Sequence, residues 1–231
     1  MDFALRILER PHAPNGAYDT ARAGDPLAAI FAPQPVETAA AGTTIVNAGD
    51  PALKTYQLVS GCVRICRTKF DGRRAIVEFR FGVGYFGRLV DGIHANAVEA
   101  VTAVELRRLP LRALRDAAAR DARLNQALQV WTRRCVSSLH AHLTDLTTRT
   151  AVEKLARFLL LLAREEACMD DVPNLLVLPM SRMDIGDFLG LNIESVSRAF
   201  TRLKLDGYIS IHGTQRIVIE RPAGLTRLAN V

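Results

Sequence analysis

The sequence predicts an α+β chain in three parts: an antiparallel β-barrel or sandwich, a long helix, and a winged helix-turn-helix. Three observations carry this. Short β-branched runs alternate with Gly, Asp and Pro turn signals through residues 27–110. A helical seam of regularly spaced apolar residues follows. Last come two short capped helices around a glycine corner, and then two more strand runs. The chain accordingly divides into an arm at 1–26, the β-domain at 27–110, a dimerisation helix region at 111–148 and the winged helix at 149–231.

The arm is rich in Ala, Gly, Pro and charge; PHAPNG and AGDP are loop text, with a short helix expected at Phe3–Glu9. In the β-domain the strand runs are Thr43–Val46, Tyr56–Val59, Cys62–Cys66, Ile76–Phe79 and Val98–Leu106. Many short strands with regular turns define an antiparallel barrel or sandwich. Asp71-Gly72 suits a tight primed turn, so Lys69–Arg73 reads as a hairpin tip.

Pro110 precedes the helical tract, with a short helix at Leu111–Asp116 and a long one from Arg123 to Thr147. On the long helix Leu124, Leu128, Trp131, Cys135, Leu139, Leu143 and Leu146 advance by threes and fours, a narrow seam for a partner helix. The reading prefers a second copy of the chain to burial against its own barrel. A helix-turn-helix binds tightly through two half-sites, and a two-fold interface supplies them. A further helix is expected over Thr150–Glu166, then a loop at Met169–Asn174 and a strand at Leu175–Leu178.

Ser181, with Asp184 three residues on, caps the next helix, whose buried side is Ile185, Phe188 and Leu189. Gly190 ends it, and Asn192 caps a second helix over Ile193–Leu205. Val196, Phe200 and Leu203 point inward, while Glu194, Ser197 and Arg198 form one exposed stripe near the N-terminus. A helix lying in the DNA major groove presents side chains to base edges there. Arg donates twice to guanine, a carboxylate accepts from cytosine N4, and Ser bonds or packs beside thymine. Thr201, Arg202 and Lys204 further along, Ser181 and Arg182 at the first helix, and His212 and Arg216 on the hairpin suit phosphates. Tyr208–Ile211 and Arg216–Ile219 around a Gly-containing turn read as the wing.

Composition agrees with this without proving it. The chain has 231 residues, 49% apolar, enough for a core without disulfides; the net charge of +6 and pI near 9.5 favour a polyanionic partner. The excess is not concentrated in the reader: Leu176 to Val231 hold seven Lys/Arg against five Asp/Glu, so placement rather than bulk charge is the argument. MDFALRILER is too short and charged for a signal peptide, and no apolar run reaches the ~20 residues of a membrane span. The expectation is a cytoplasmic protein, away from membranes, with reduced thiols. G-x-S-x-G, P-loop and H-E-x-x-H patterns are all missing from the sequence, which argues against an enzyme.

Barrel, dimer helix and winged helix in this order resemble the Crp/Fnr family of bacterial transcription regulators, over residues ~27–220. The most specific text is DIGDFLGLNIESVSRAFTRLKLDGYI; Glu194, Ser197 and Arg198 match the E-x-x-S-R triplet of the Fnr and FixK-like branch, and DGRRAIVEF and GYFG fit that branch too. The resemblance implies a cyclic-nucleotide-binding-like jelly roll, a homodimer on double-stranded DNA, RNA polymerase as protein partner, and a palindrome of the form TTGAT-N4-ATCAA. Of the family's sensors, an iron–sulfur cluster is disfavoured because Cys62, Cys66, Cys135 and Cys168 are scattered and none lies in the arm. Cyclic AMP is disfavoured because His94 and Ala95 stand where the nucleotide-binding Arg-Ser pair would. Haem stays open through His94, His140 and His142. The reading is therefore a cofactor-free activator. The alternative is an effector-gated regulator whose barrel holds a small molecule or haem.

Overall fold

The computed structural model describes residues 25–68, 70–87, 92–165, 168–170 and 172–229. The expected helix at Phe3–Glu9, Lys69 at the hairpin tip and the Arg88–Asp91 loop lie outside the described residues. The described residues form two packing units, 25–136 and 137–229.

The first unit opens with α1 (Pro26–Phe31), capped by Asp25, whose carboxylate accepts from the Leu27 amide. Asp25 and Pro26, read from sequence as the end of the arm, thus begin a helix. Eight strands follow: β1 (Val36–Ala39), β2 (Thr44–Val46), β3 (Lys54–Ser60), β4 (Cys62–Thr68), β5 (Arg74–Phe81), β6 (Gly84–Gly87), β7 (Ala97–Ala100) and β8 (Val104–Pro110). They make two antiparallel four-stranded sheets, ordered β1-β8-β3-β6 and β2-β7-β4-β5. Tyr56, Leu58, Phe86, Val104 and Leu106 of the first sheet interleave with Val46, Val63, Val98 and Ala100 of the second in one core. Tyr56 and Phe86 are register partners whose rings stack 5.0 Å apart. This is a double-sheet jelly roll. The run read as one strand at Val98–Leu106 is two, β7 and β8, broken at 101–103 and sent to different sheets. β1 and β6 have no counterpart in the sequence reading.

Strand β3 is buried on both sides, which period-2 patterning alone does not allow for. Thr55 and Gln57 on its second side are buried but hydrogen-bonded: Thr55 Oγ1 donates to the Phe86 carbonyl, and Arg107 donates to Gln57. That side is roofed by helices. Leu27 and Phe31 of α1, Leu114 of α2 (Leu111–Arg120) and Leu124 and Trp131 of α3 (Ala122–Thr148) pack with Tyr85 and Leu109. Tyr85 meets Phe31 at a tilt of 33° with centroids 5.4 Å apart and the Trp131 ring edge-on at 6.2 Å, and its hydroxyl donates to Asp25. This corrects the seam assignment. Leu124 and Trp131 are spent inside the chain's own core, and Leu128 and Cys135 pack partly against it. The exposed apolar row of α3 is Val136, Leu139 and Leu143, spaced i, i+3 and i+7 and 46%, 44% and 59% exposed.

The second unit contains the last turns of α3 and then α4 (Ala151–Leu162), entered through a capping box between Thr150 and Glu153. Asp145 joins the two helices: one carboxylate oxygen accepts from Arg149 at 2.6 Å and the other from the buried Arg157 of α4. Next come β9 (Leu175–Val177), α5 (Arg182–Leu189), α6 (Ile193–Leu205), β10 (Ile209–His212), β11 (Arg216–Ile219) and α7 (Pro222–Leu228). The last three strands form one antiparallel sheet ordered β10-β11-β9. Leu155, Leu159, Val196, Phe200, Leu203, Ile217 and Leu225 are buried in the unit that α4–α7 and this sheet build. No helix among the described residues is long and apolar enough to cross a membrane.

Candidate nucleic-acid interface

The reader is assembled by local chemistry. Ser181 Oγ accepts from the Asp184 amide at 3.1 Å, and Asp184 in return accepts from the Ser181 amide at 3.2 Å, a reciprocal capping box. The helix ends at Gly190, whose φ of 63° and ψ of 37° lie in the left-handed region. Gly186 makes the corner tight: a Cβ there would sit 2.6 Å from the Leu191 carbonyl oxygen, and the Gly186 carbonyl accepts from Leu191 N at 2.9 Å. Asn192 then caps α6 by accepting from the Ser195 amide at 2.8 Å. Val196, Ala199, Phe200 and Leu203 form the buried side of α6. The opposite side is thereby fixed outward.

Glu194, Ser197 and Arg198 are all exposed on that outer side, in the first two turns. The Ser197 hydroxyl donates to the Ile193 carbonyl at 2.9 Å, which leaves its lone pairs and methylene facing out. Arg198 donates to Ser195 Oγ at 3.3 Å across the exposed surface. Ile193, passed over by the sequence reading, is 43% exposed beside them. Its signal was available: an apolar residue immediately after a cap, outside the inward set.

The residues expected to meet phosphate separate into two groups. Thr201, Arg202, Lys204, His212 and Arg216 are exposed. Thr201 donates to the Ser197 carbonyl; Arg202 pairs with Asp206 at 2.8 Å and Arg216 with Asp170 at 3.5 Å, surface contacts that yield readily to a stronger anion. His212 ends β10 with its ring 3.1 Å from Ser210 Oγ. Ser181 and Arg182 are engaged by the fold itself. Ser181 Oγ donates to Asp184 at 2.9 Å, so its only proton is committed. Arg182 is half-buried, its guanidinium carbon 3.4 Å from the centre of the Phe200 ring, and burial pushes its pKa down to about 10.

Other expected ligand groups fall elsewhere. Cys62, Cys66 and Cys168 are buried free thiols; burial pushes Cys66 up to about 11 and Cys168 to about 12, so both are protonated at neutral pH. Cys135 is half-buried, with Arg80 donating to its sulfur at 3.6 Å. His94 is buried, His140 exposed, and His142 stacks on Phe188. Among the described residues no three His, Cys, Asp or Glu groups converge as metal ligands.

A two-sheet β-domain followed by a long helix and a winged helix defines a DNA-binding transcription regulator, and comparison with known proteins agrees. Residues 36–121 match the cyclic nucleotide-binding domain family and residues 153–228 the Crp-like helix-turn-helix domain family. The chain is 34% identical to the nitrogen fixation regulation protein FixK of Azorhizobium caulinodans, over 92% of this chain and 85% of that one. It is 33% identical to the FixK of Rhizobium meliloti, over 88% and 91%. The solved structure of FixK2 from Bradyrhizobium japonicum superposes with a TM-score of 0.76 at 31% identity, covering 84% of this chain and 96% of that one. The chain belongs to the Crp/Fnr family of transcription regulators. These relatives are named as regulation proteins, and the C-terminal match is to a helix-turn-helix domain.

Proposed function

We propose that the chain is a homodimeric activator that reads an Fnr-type palindrome, TTGAT-N4-ATCAA, and contacts RNA polymerase without a resident cofactor. One observation carries this: Glu194, Ser197 and Arg198 stand exposed together on the outer side of a helix whose inner side is fully buried. Arg198 donates to guanine O6 and N7, and Glu194 accepts from cytosine N4. Ser197, its proton already given to Ile193, accepts from an exocyclic amine or packs its methylene on a thymine methyl, as does Ile193. Thr201, Arg202, Lys204, His212 and Arg216 hold phosphates and fix register.

Two copies joined through Val136, Leu139 and Leu143 present two such stripes, which a palindrome with half-sites one turn apart requires. The Lys69–Arg74 tip, where Phe70 is fully exposed, is the segment offered to the polymerase. Protonated, buried thiols at Cys66 and Cys168 are poor cluster ligands, which favours the cofactor-free reading. A second reading, an effector bound in the β-domain, draws on the match of residues 36–121 to the cyclic nucleotide-binding family. His94 and Ala95 at the positions of the nucleotide-binding Arg-Ser pair weigh against cyclic AMP as that effector.

The test is to purify the protein in air, record its absorption spectrum, and measure binding to the palindrome and to a scrambled duplex, with and without cyclic AMP. A colourless protein that prefers the palindrome by about 10³-fold or more, indifferent to nucleotide, supports the proposal. Equal binding to both duplexes overturns it. Binding only with cyclic AMP transfers support to the effector reading.

A further inference from the structure

Arg182 occupies the first position of the helix-turn-helix, where a cation is expected to meet the DNA backbone, yet its guanidinium faces inward. Its planar group lies over the ring of Phe200, a buried residue in the middle of α6, at 3.4 Å from the ring centre. Nη2 donates to the Thr214 carbonyl in the turn between β10 and β11, a long bond at 3.4 Å. Nη1 is enclosed and has no hydrogen-bond partner among the described residues.

One side chain therefore touches three parts of the reader: the start of α5, the core side of α6 and the tip of the wing. The β10–β11 ladder closes the turn at His212 and Arg216, and Arg216 pairs with Asp170 at 3.5 Å. Leu178 N donates to the Gln215 carbonyl at 2.8 Å, while Thr214 and Gln215 are themselves exposed. A guanidinium stacked on an aromatic face is a flat, directional contact that an ammonium does not reproduce.

We propose that Arg182 is a positioning residue rather than a phosphate contact: it clamps the wing tip to the recognition helix, so that His212 and Arg216 are presented at a fixed offset from Glu194, Ser197 and Arg198. The salt-dependence arm of its test rests on the DNA-binding reading; the wing-protection arm does not.

Two variants, Arg182→Lys and Arg182→Gln, separate the roles. Lys keeps the charge and loses the flat stack; Gln loses both. The first measurement, on free protein, is hydrogen exchange of the wing segment 209–219. The second is the slope of log affinity against log salt on the palindromic duplex. A clamp predicts wing exchange roughly 2- to 10-fold faster in both variants, the factor a contact of this kind carries, with a salt slope equal to that of the parent. A phosphate contact predicts the reverse. Wing exchange is then unchanged, and in Arg182→Gln alone the slope falls by about 0.9 per contact, so about 1.8 for a dimer. A slope loss confined to Gln overturns the proposal whatever the wing does, and so does unchanged wing exchange in both variants. If the parent protein does not prefer the palindrome, the functional reading fails while the exchange data still decide the clamp.

Discussion

His142 of α3 lies flat on Phe188 of α5, with ring centroids 4.2 Å apart and planes 14° from parallel. Burial lowers the pKa of this imidazole from 6.5; Lys154 adds to the effect, while Asp145 and the Phe188 backbone oppose it. Asp145, the strongest of the opposing influences, is shared by Arg149 and Arg157. A protonated ring would be a further cation around one carboxylate.

A histidine whose folded pKa lies below its unfolded value binds more protons when unfolded. The folded state therefore loses stability as pH falls through about 6.5, and the loss levels off below the folded value. The melting temperature of the parent protein should drop more steeply across that window than that of His142→Phe, which keeps a stacked ring without the titration. Parallel pH profiles for the two proteins would refute the assignment.

On the recognition helix, Arg198→Ala should cost about 1–3 kcal/mol of operator affinity and relax preference at one guanine. Lys204→Ala should weaken all duplexes alike and lower the salt slope by about one per protomer. Titrations over a panel of single-base operator variants distinguish them. Identical patterns for both changes would mean that readers and phosphate holders have been wrongly divided.

The two sides of α3 should answer differently to substitution. Leu143→Glu, on the exposed row, should yield monomers in sedimentation with little change in melting at low concentration. Trp131→Ala, within the helix-roofed core, should cost about 3–5 kcal/mol of stability. A dimer that survives Leu143→Glu, or an innocuous Trp131→Ala, would invert this partition.

The corner glycines should differ in what rescues them. At Gly190 the demand is conformational, and the nearest obstacle is Leu146 Cδ2 at an ordinary 3.5 Å. Gly190→Asn should be tolerated, while Gly190→Val should cost about 1–2 kcal/mol. At Gly186 the demand is space against a backbone carbonyl, so even Gly186→Ala should cost about 1–3 kcal/mol by overpacking. Urea midpoints measure both. A Gly186→Ala protein as stable as the parent would place the Leu191 carbonyl elsewhere.

The helix-turn-helix was legible because its instructions are local. Ser181, Asp184, Gly190 and Asn192 each act within four residues, and each makes the bond its type suggests. The β-domain was legible in class but not in detail. β6 lies between the turn signals of Gly84 and Gly87 and becomes a strand only by pairing with β3, about thirty residues earlier. β1, four residues at a sheet edge with half its side chains exposed, carries almost no pattern. The α3 periodicity announces an apolar side but not who covers it; Tyr85 and Phe31, distant in sequence, claim the first half. The contacts of Arg182 are hidden for the same reason, since Phe200 and Thr214 lie 18 and 32 positions away.

The division of α3 into an inner row and an outer row has an evolutionary corollary. Residues turned toward Tyr85 are held by the need to fold, whereas in the proposed dimer those at 136, 139 and 143 need only let two identical chains fit together. A duplicated copy of the gene could therefore stop mixing with its parent by changing three side chains, leaving each product to regulate its own promoters.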